Sequence, residues 1–256
     1  MDVFLAEMIG TALLILLGNG VVANVVLNET KGHASGWIVI CAGWGFAVFV
    51  AVACVADISG AHLNPAVTVG LAAAGKMAWE AVPGYIMAQM TGALVGAALV
   101  FVFYQSHYHV TDNADAKLAT FCTGPAIRSL PTNLLCEVLA TAVLVLAVLM
   151  HVPAGIFTID GRQTVDTIGL GSIGAIEVGL VVFGIGLSLG GTTGYAINPA
   201  RDLGPRIAHF LLPVPGKRDS DWSYAPIPVV GPLLGALLAV GVSQLLGLGL
   251  TAIYKG

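Results

Sequence analysis

The chain has 256 residues, of which 57% are apolar and only 9% charged, with a net charge of −4 and a mean hydropathy of +0.91. Soluble domains carry about a quarter charged residues, so a wholly water-facing surface is excluded and lipid must be the solvent for much of the chain. No basic run points to nucleic acid, and the four cysteines, Cys41, Cys54, Cys122 and Cys136, lack the Cys-x-x-Cys spacing of a metal or redox centre.

In lipid every backbone N–H and C=O must be paired inside the protein, so only helices or closed barrels can span. Apolar stretches of about 20 residues fit helices, since barrel strands would alternate at half that length. In chain order the predicted spans are Val3–Val26, Trp37–Ala56, Val82–Tyr104, Leu134–His151, Ile173–Leu189 and Ile227–Leu250. Met1-Asp2-Val3-Phe4 lacks the basic region of a cleavable signal, so the first span is expected to be retained. Two further apolar stretches, Pro65–Ala74 and Pro199–Leu212, are too short to cross. Each opens with a proline, which suits a first helical turn, and each follows a glycine and a polar run. They are predicted to be half-helices that begin at mid-membrane depth. His107-x-His109 falls in the hydrophilic connector between the halves and is expected in a solvated loop, with no metal bound. Trp222 and Tyr224, just before the last span, are expected to anchor at the interface.

Internal repeats set the architecture. Ala6-Glu7-Met8-Ile9-Gly10-Thr11-Ala12 matches Cys136-Glu137-Val138-Leu139-Ala140-Thr141-Ala142 at an offset of 130. Ser59-Gly60-Ala61-His62-Leu63-Asn64-Pro65-Ala66 matches Thr193-Gly194-Tyr195-Ala196-Ile197-Asn198-Pro199-Ala200 at an offset of 134. Gly92-x-x-x-Gly96 matches Gly231-x-x-x-Gly235 at an offset of 139 and suits close helix crossing. The expected organisation is one all-α membrane domain made of two repeats, 1–115 and 116–256, each with three spans and a half-helix. An odd number of spans per repeat inverts the second relative to the first.

Paired Asn-Pro-Ala triplets, the second followed by Arg201, resemble the signature of the aquaporin superfamily, and the likeness covers nearly the whole chain. Asn198-Pro199-Ala200-Arg201-Asp202-x-Gly204-Pro205-Arg206 is similar to the glycerol-facilitator branch, in which an aspartate follows that arginine. The resemblance implies a passive channel for glycerol, other small uncharged solutes and water, with no cofactor, working as a homotetramer with one pore per subunit. It also implies a narrow filter of Trp44, Gly186, Tyr195 and Arg201. At the place of Gly186 water-selective relatives carry a bulky histidine. At the place of Tyr195 glycerol channels often carry phenylalanine, a departure that bears on the preferred solute.

The residues support that picture physically. A half-helix presents unpaired N–H groups and the positive end of its dipole at the membrane centre. Asn64 and Asn198 would cap these ends and leave amide N–H groups free to donate into a lumen, with Pro65, Ala66, Pro199 and Ala200 opening each helix. A cation would meet positive potential and no acceptor, and a proton relay would be interrupted. Extended chain before each half-helix is tolerable only where it lines a cavity, so the carbonyls of Gly60, Ala61, His62, Gly194, Tyr195 and Ala196 are expected to form a ladder of acceptors along one wall. Arg201 at membrane depth is costly and marks function.

Glu7 and Glu137 are symmetry mates, expected to accept hydrogen bonds from the re-entrant loops; the alternative is proton carriers of a coupled transporter. Glu177 has no mate and is expected near a span end. Gly186 and Asp202 argue against the second alternative, a water-selective channel. No nucleophile–base pair, phosphate loop or ligand cluster suggests an enzyme. The resemblance implies cytoplasmic termini in a cell-membrane protein, yet the inner loops would hold Lys76, Arg162 and Lys255 against Lys31, Lys117, Arg128, Lys217 and Arg218 outside, opposite to the usual positive-inside bias.

Overall fold

A computed structural model describes residues 2–151, 156–157, 163–165 and 170–254; Arg162 and Lys255 of the charge comparison lie outside the described residues. Ten α-helices are present among these residues: α1 (Val3–Val26), α2 (Trp37–Ser59), α3 (Pro65–Ala73), α4 (Val82–Phe103), α5 (Gln105–Val110), α6 (Ala114–Ala119), α7 (Leu130–Met150), α8 (Ile176–Leu189), α9 (Pro199–Leu211) and α10 (Ile227–Tyr254). Among the described residues, six helical segments are long and apolar enough to cross a membrane, those built on α1, α2, α4, α7, α8 and α10. At 1.5 Å per residue, α1 is about 36 Å long, enough for a hydrocarbon core of about 30 Å. Each carries large apolar side chains facing outward, among them Leu17, Phe46, Leu99, Leu139, Leu180 and Leu237.

The differences from the sequence expectations have local causes. The fourth span begins at Leu130, not Leu134, because Pro131 sits in its first turn. Asn133 also ties that turn down: its Oδ1 accepts from the Ser129 N–H at 2.9 Å and its amide donates to Ile127 O at 3.1 Å. A polar first turn is invisible to a count of apolar residues. The connector carrying His107 and His109 is helical, forming α5 and then α6, which Asn113 caps through the N–H groups of Asp115 and Ala116. Between α7 and α8, β1 (Ile156–Phe157) pairs antiparallel with β2 (Gln163–Val165), a small two-stranded ladder within the all-α fold. Ile156, Phe157, Thr164 and Val165 are types that favour extended chain, too few to register beside the long apolar runs. Trp222 is exposed as expected for an interface anchor, but Tyr224 is buried, with the Arg128 guanidinium over its ring at 5.3 Å. The 115/116 repeat boundary falls inside α6.

Element order repeats: α1, α2, α3 and α4 correspond to α7, α8, α9 and α10. The packing repeats with it. α1 lies on α4 and α7 on α10, while each short helix crosses to the other half, α3 onto α10 and α9 onto α4. The glycine pairs permit the first two contacts. A Cβ at Gly92 would lie 2.2 Å from Met8 O and one at Gly96 2.6 Å from Ala12 O; in the second half, a Cβ at Gly235 would lie 2.4 Å from Val138 O. Backbones in lipid approach this closely only across small residues.

Gly92→Ala should therefore lower stability in detergent by about 1–3 kcal/mol, because backbone, not a movable side chain, opposes the new methyl. Gly20→Ala, where nothing lies within 4 Å, should leave the thermal midpoint near that of the parent. Equal midpoints for the two variants would contradict the reading of a backbone-limited crossing.

Candidate functional site

The short helices α3 and α9 start against one another. Asn64 is extended (φ −158°) and its Oδ1 accepts from the Ala66 N–H at 2.8 Å; Asn198 (φ −156°) accepts from the N–H groups of Ala200 at 3.0 Å and Arg201 at 3.2 Å. Pro65 and Pro199 occupy the first turns, where a missing N–H leaves nothing unpaired; with Ala66 and Ala200 they are buried. The caps are also cross-braced. Asn64 Nδ2 donates to Ile197 O at 2.8 Å, and Asn198 Nδ2 donates to Leu63 O at 2.9 Å. One hydrogen of each amide is thus spent on the opposite loop, and only the second is left for the cavity, fewer than the sequence suggests.

Both loops leading into the caps repeat an uncommon backbone. Gly60 (φ 79°), Ala61 (49°) and Leu63 (52°) match Gly194 (82°), Tyr195 (38°) and Ile197 (44°). Left-handed backbone at non-glycine residues costs on the order of 1–3 kcal/mol each and persists only where the surroundings over-determine it. The two buried carboxylates do so. Glu7 Oε1 accepts from Ser59 Oγ at 2.6 Å and the His62 N–H at 3.0 Å, and its Oε2 from the Leu63 N–H and Gln89 Nε2, both at 2.8 Å. Glu137 Oε1 accepts from Thr193 Oγ1 at 2.6 Å and the Ala196 N–H at 3.0 Å, and its Oε2 from the Ile197 N–H at 2.9 Å. Ser59 Oγ and Thr193 Oγ1 take the remaining N–H groups of Ala61 and Tyr195. With these N–H groups turned to the carboxylates, the carbonyls of Gly60, Ala61, His62, Tyr195 and Ala196 have no protein donor among the described residues.

A cavity of about 140 Å³ runs past these loops. Gly60, Ala61, His62, Asn64, Tyr195, Ala196, Asn198 and Arg201 line it, together with the apolar side chains of Leu14, Val48, Val52, Val67, Leu144 and Val178. Gly194 does not line it: its Cα faces Thr123, at 3.3 Å from a Cβ built there. At one end Arg201 lies over the Trp44 ring, 4.1 Å from Cζ to centroid, beside Tyr195. In a desolvated setting such a cation–π contact is worth about 2 kcal/mol. Gly186 does not line the cavity either. A Cβ there would lie 2.8 Å from Tyr195 Cζ, so the glycine leaves room for the tyrosine ring, and its carbonyl accepts from Trp37 Nε1 at 2.9 Å.

Asp202, adjacent in sequence, turns away from the cavity. Its Oδ2 accepts from the Thr123 N–H and Oγ1, both at 2.7 Å, and its Oδ1 from Arg206 Nε at 2.8 Å. Arg206, fully buried, donates onward to Ser220 O, Asp221 O and Thr123 O, tying α9 to the two loops above it. Asp221 itself is buried enough to raise its carboxyl, yet the Arg128 and Ser223 hydrogen bonds outweigh this and hold it below the usual range. Thr123, Gln89 and Asn19 were not singled out by sequence, and Arg206 only as the last residue of the Asn198–Arg206 motif. Asn19 and Gln89 carried a signal, an amide within an apolar span, which Asn19 shares with Asn24; the others gain meaning only from what the fold places beside them. Glu177, in the first turn of α8, pairs with His151 at 2.9 Å.

A family model described as Major intrinsic protein matches residues 1–242. The chain belongs to that family. It is 54% identical over 242 residues to the probable glycerol uptake facilitator protein of Thermotoga maritima, covering 94% of this chain and 98% of the relative. The glycerol uptake facilitator protein of Streptococcus pneumoniae strain R6 is 53% identical, over 96% of this chain and 99% of its own. Among solved structures, the aquaglyceroporin from Plasmodium falciparum superposes with a TM-score of 0.77 at 31% identity, covering 93% of each chain.

Glu137→Gln should destabilise the protein by about 1–3 kcal/mol, since the amide nitrogen brought opposite the Ile197 N–H would leave a buried donor unpaired. Thermal unfolding in detergent measures this. A midpoint unchanged from the parent would show that the loop does not depend on the carboxylate.

Proposed function

We propose that the chain is a passive transmembrane channel for glycerol, small uncharged solutes and water that excludes ions and protons. The observation that carries this reading is the mixed lining of one cavity, which joins the Gly60–His62 and Tyr195–Ala196 loops, Asn64, Asn198 and Arg201 to Leu14, Val48, Val52, Val67, Leu144 and Val178. A polyol has the matching character, hydroxyls on one edge and C–H groups on the other. In this reading α3 and α9 are re-entrant half-helices of two inverted repeats, their positive ends raising the potential where the caps meet. The free hydrogen of Asn64 and of Asn198 donates to a passing oxygen, and the loop carbonyls accept from it. A cation finds donors where it needs ligands.

Trp44, Tyr195 and Arg201 form the narrow filter, with the guanidinium donating to hydroxyls and the rings covering carbon. Gly186 acts at one remove by letting the Tyr195 ring lie back. The channel is proposed to reside in the cell membrane with cytoplasmic termini and to assemble as a homotetramer, on the likeness to the family. A water-selective channel is the second reading, favoured by the added hydroxyl of Tyr195 and opposed by Gly186.

Reconstituted into liposomes, the protein should admit glycerol and water without moving a trapped pH dye, followed by light scattering and fluorescence. Glycerol entry that is absent, or that requires a proton gradient, contradicts the channel reading. Gly186→His should depress glycerol entry far more than water entry, because its side chain displaces Tyr195 toward the lumen; equal losses of both would remove Gly186 from the filter.

A further inference from the structure

Arg201 is held by a residue that the filter reading does not include. Asn19, in the C-terminal half of α1 and fully buried, accepts from Arg201 Nη1 through Oδ1 at 3.2 Å and donates through Nδ2 to Phe121 O at 3.0 Å. The same Nη1 reaches Phe121 O at 3.3 Å. The orientation of the amide follows from this triangle. Phe121 O can only accept, so Nδ2 must face it and Oδ1 must face the guanidinium. Its neighbour Gly18 serves the other half of the stacked pair: a Cβ there would lie 2.3–2.5 Å from three ring atoms of Trp44. Two consecutive residues of α1 thus seat the indole and the guanidinium that stack on one another.

We infer that Gly18-Asn19 is the foundation of the constriction, with Asn19 a positioning and specificity-determining residue for polyol passage; the inference rests on the filter reading above. A guanidinium is planar, and bonds at one nitrogen together with a stacked face set its plane. Arg201 Nε and Nη2 have no protein partner among the described residues and remain for solute hydroxyls. Asn19 and Phe121 O are neutral acceptors, and Asp202 spends both oxygens on Thr123 and Arg206, so the charge facing the lumen stays unpaired. A freed arginine would sample rotamers in which its donors no longer match two adjacent hydroxyls, at a loss that falls on glycerol and spares water.

The test measures glycerol and water permeability per reconstituted protein for the parent, Asn19→Leu, Asn19→Asp, Gly18→Ala and Arg201→Val. Loss of one buried hydrogen bond to the arginine corresponds to about a fivefold fall in the glycerol-to-water ratio for Asn19→Leu. Asn19→Asp keeps an acceptor for the guanidinium but turns an oxygen onto Phe121 O and pairs the charge, so it should also lower the glycerol-to-water ratio. Gly18→Ala, which pushes the indole into the lumen, should lower glycerol entry more than water entry. A merely structural asparagine would reduce both permeabilities in parallel and leave the ratio where it was, which overturns the inference, as does an unchanged ratio in Gly18→Ala should Asn19→Leu fail to assemble. An unchanged ratio in Arg201→Val sinks the filter reading itself, separately from the role of Asn19.

Discussion

A helix that starts in the middle of a membrane has backbone N–H groups without partners and no water to supply any. The starts of α3 and α9 face each other here, so two positive dipole ends also meet inside an apolar protein. The asparagines at 64 and 198 answer both demands at once. Their oxygens accept from their own helices, and their nitrogens reach across to the carbonyls of Ile197 and Leu63. The rest of the site is arranged around this brace. It fixes where each loop carbonyl lies, and it leaves a single amide hydrogen on each side of the cavity.

The loops that feed the brace would not hold their shape alone. Ile197 is β-branched and left-handed at φ 44°, a conformation that such a side chain adopts only under constraint. Glu7 and Glu137 supply that constraint, each gathering the loop N–H groups onto one carboxylate. A buried carboxylate is expensive unless fully bonded, which explains the short contacts from Ser59 and Thr193. The halves are not identical. Glu7 has a fourth donor in Gln89, whereas the position 139 residues on is Pro228, so the second loop relies on Glu137 and Thr193 alone.

Above the brace, the arginine beside the cavity is separated electrostatically from the carboxylate next to it in sequence. Asp202 and Arg201 are consecutive, yet α9 turns them to different sides. Asp202 closes a buried ion pair with Arg206 at i and i+4, and Arg201 meets only neutral acceptors and an indole face. A buried pair of this kind contributes little net stability against its desolvation. Its consequence lies in geometry, because it pins Thr123, two residues after the Phe121 whose carbonyl meets Arg201.

Much of this was legible in the amino-acid sequence. Composition required lipid, run length required helices, and the doubled Asn-Pro motifs marked two short Asn-capped helices, since these features depend on local chemistry and spacing. The residues of the wall could be named for the same reason, Gly60 to Asn64 and Tyr195 to Asn198 being contiguous. Contacts between distant segments were not legible. That Gly186 seats a tyrosine ring, that Gly194 faces Thr123, that each cap spends a hydrogen on the other loop and that Asn19 holds Arg201 from 182 residues away are outcomes of packing six helices and two short ones together. Sequence determined which chemical groups could line the cavity; tertiary structure decided which of them remained unpaired there, because hydrogen bonding is a competition among all the partners that the fold brings within reach.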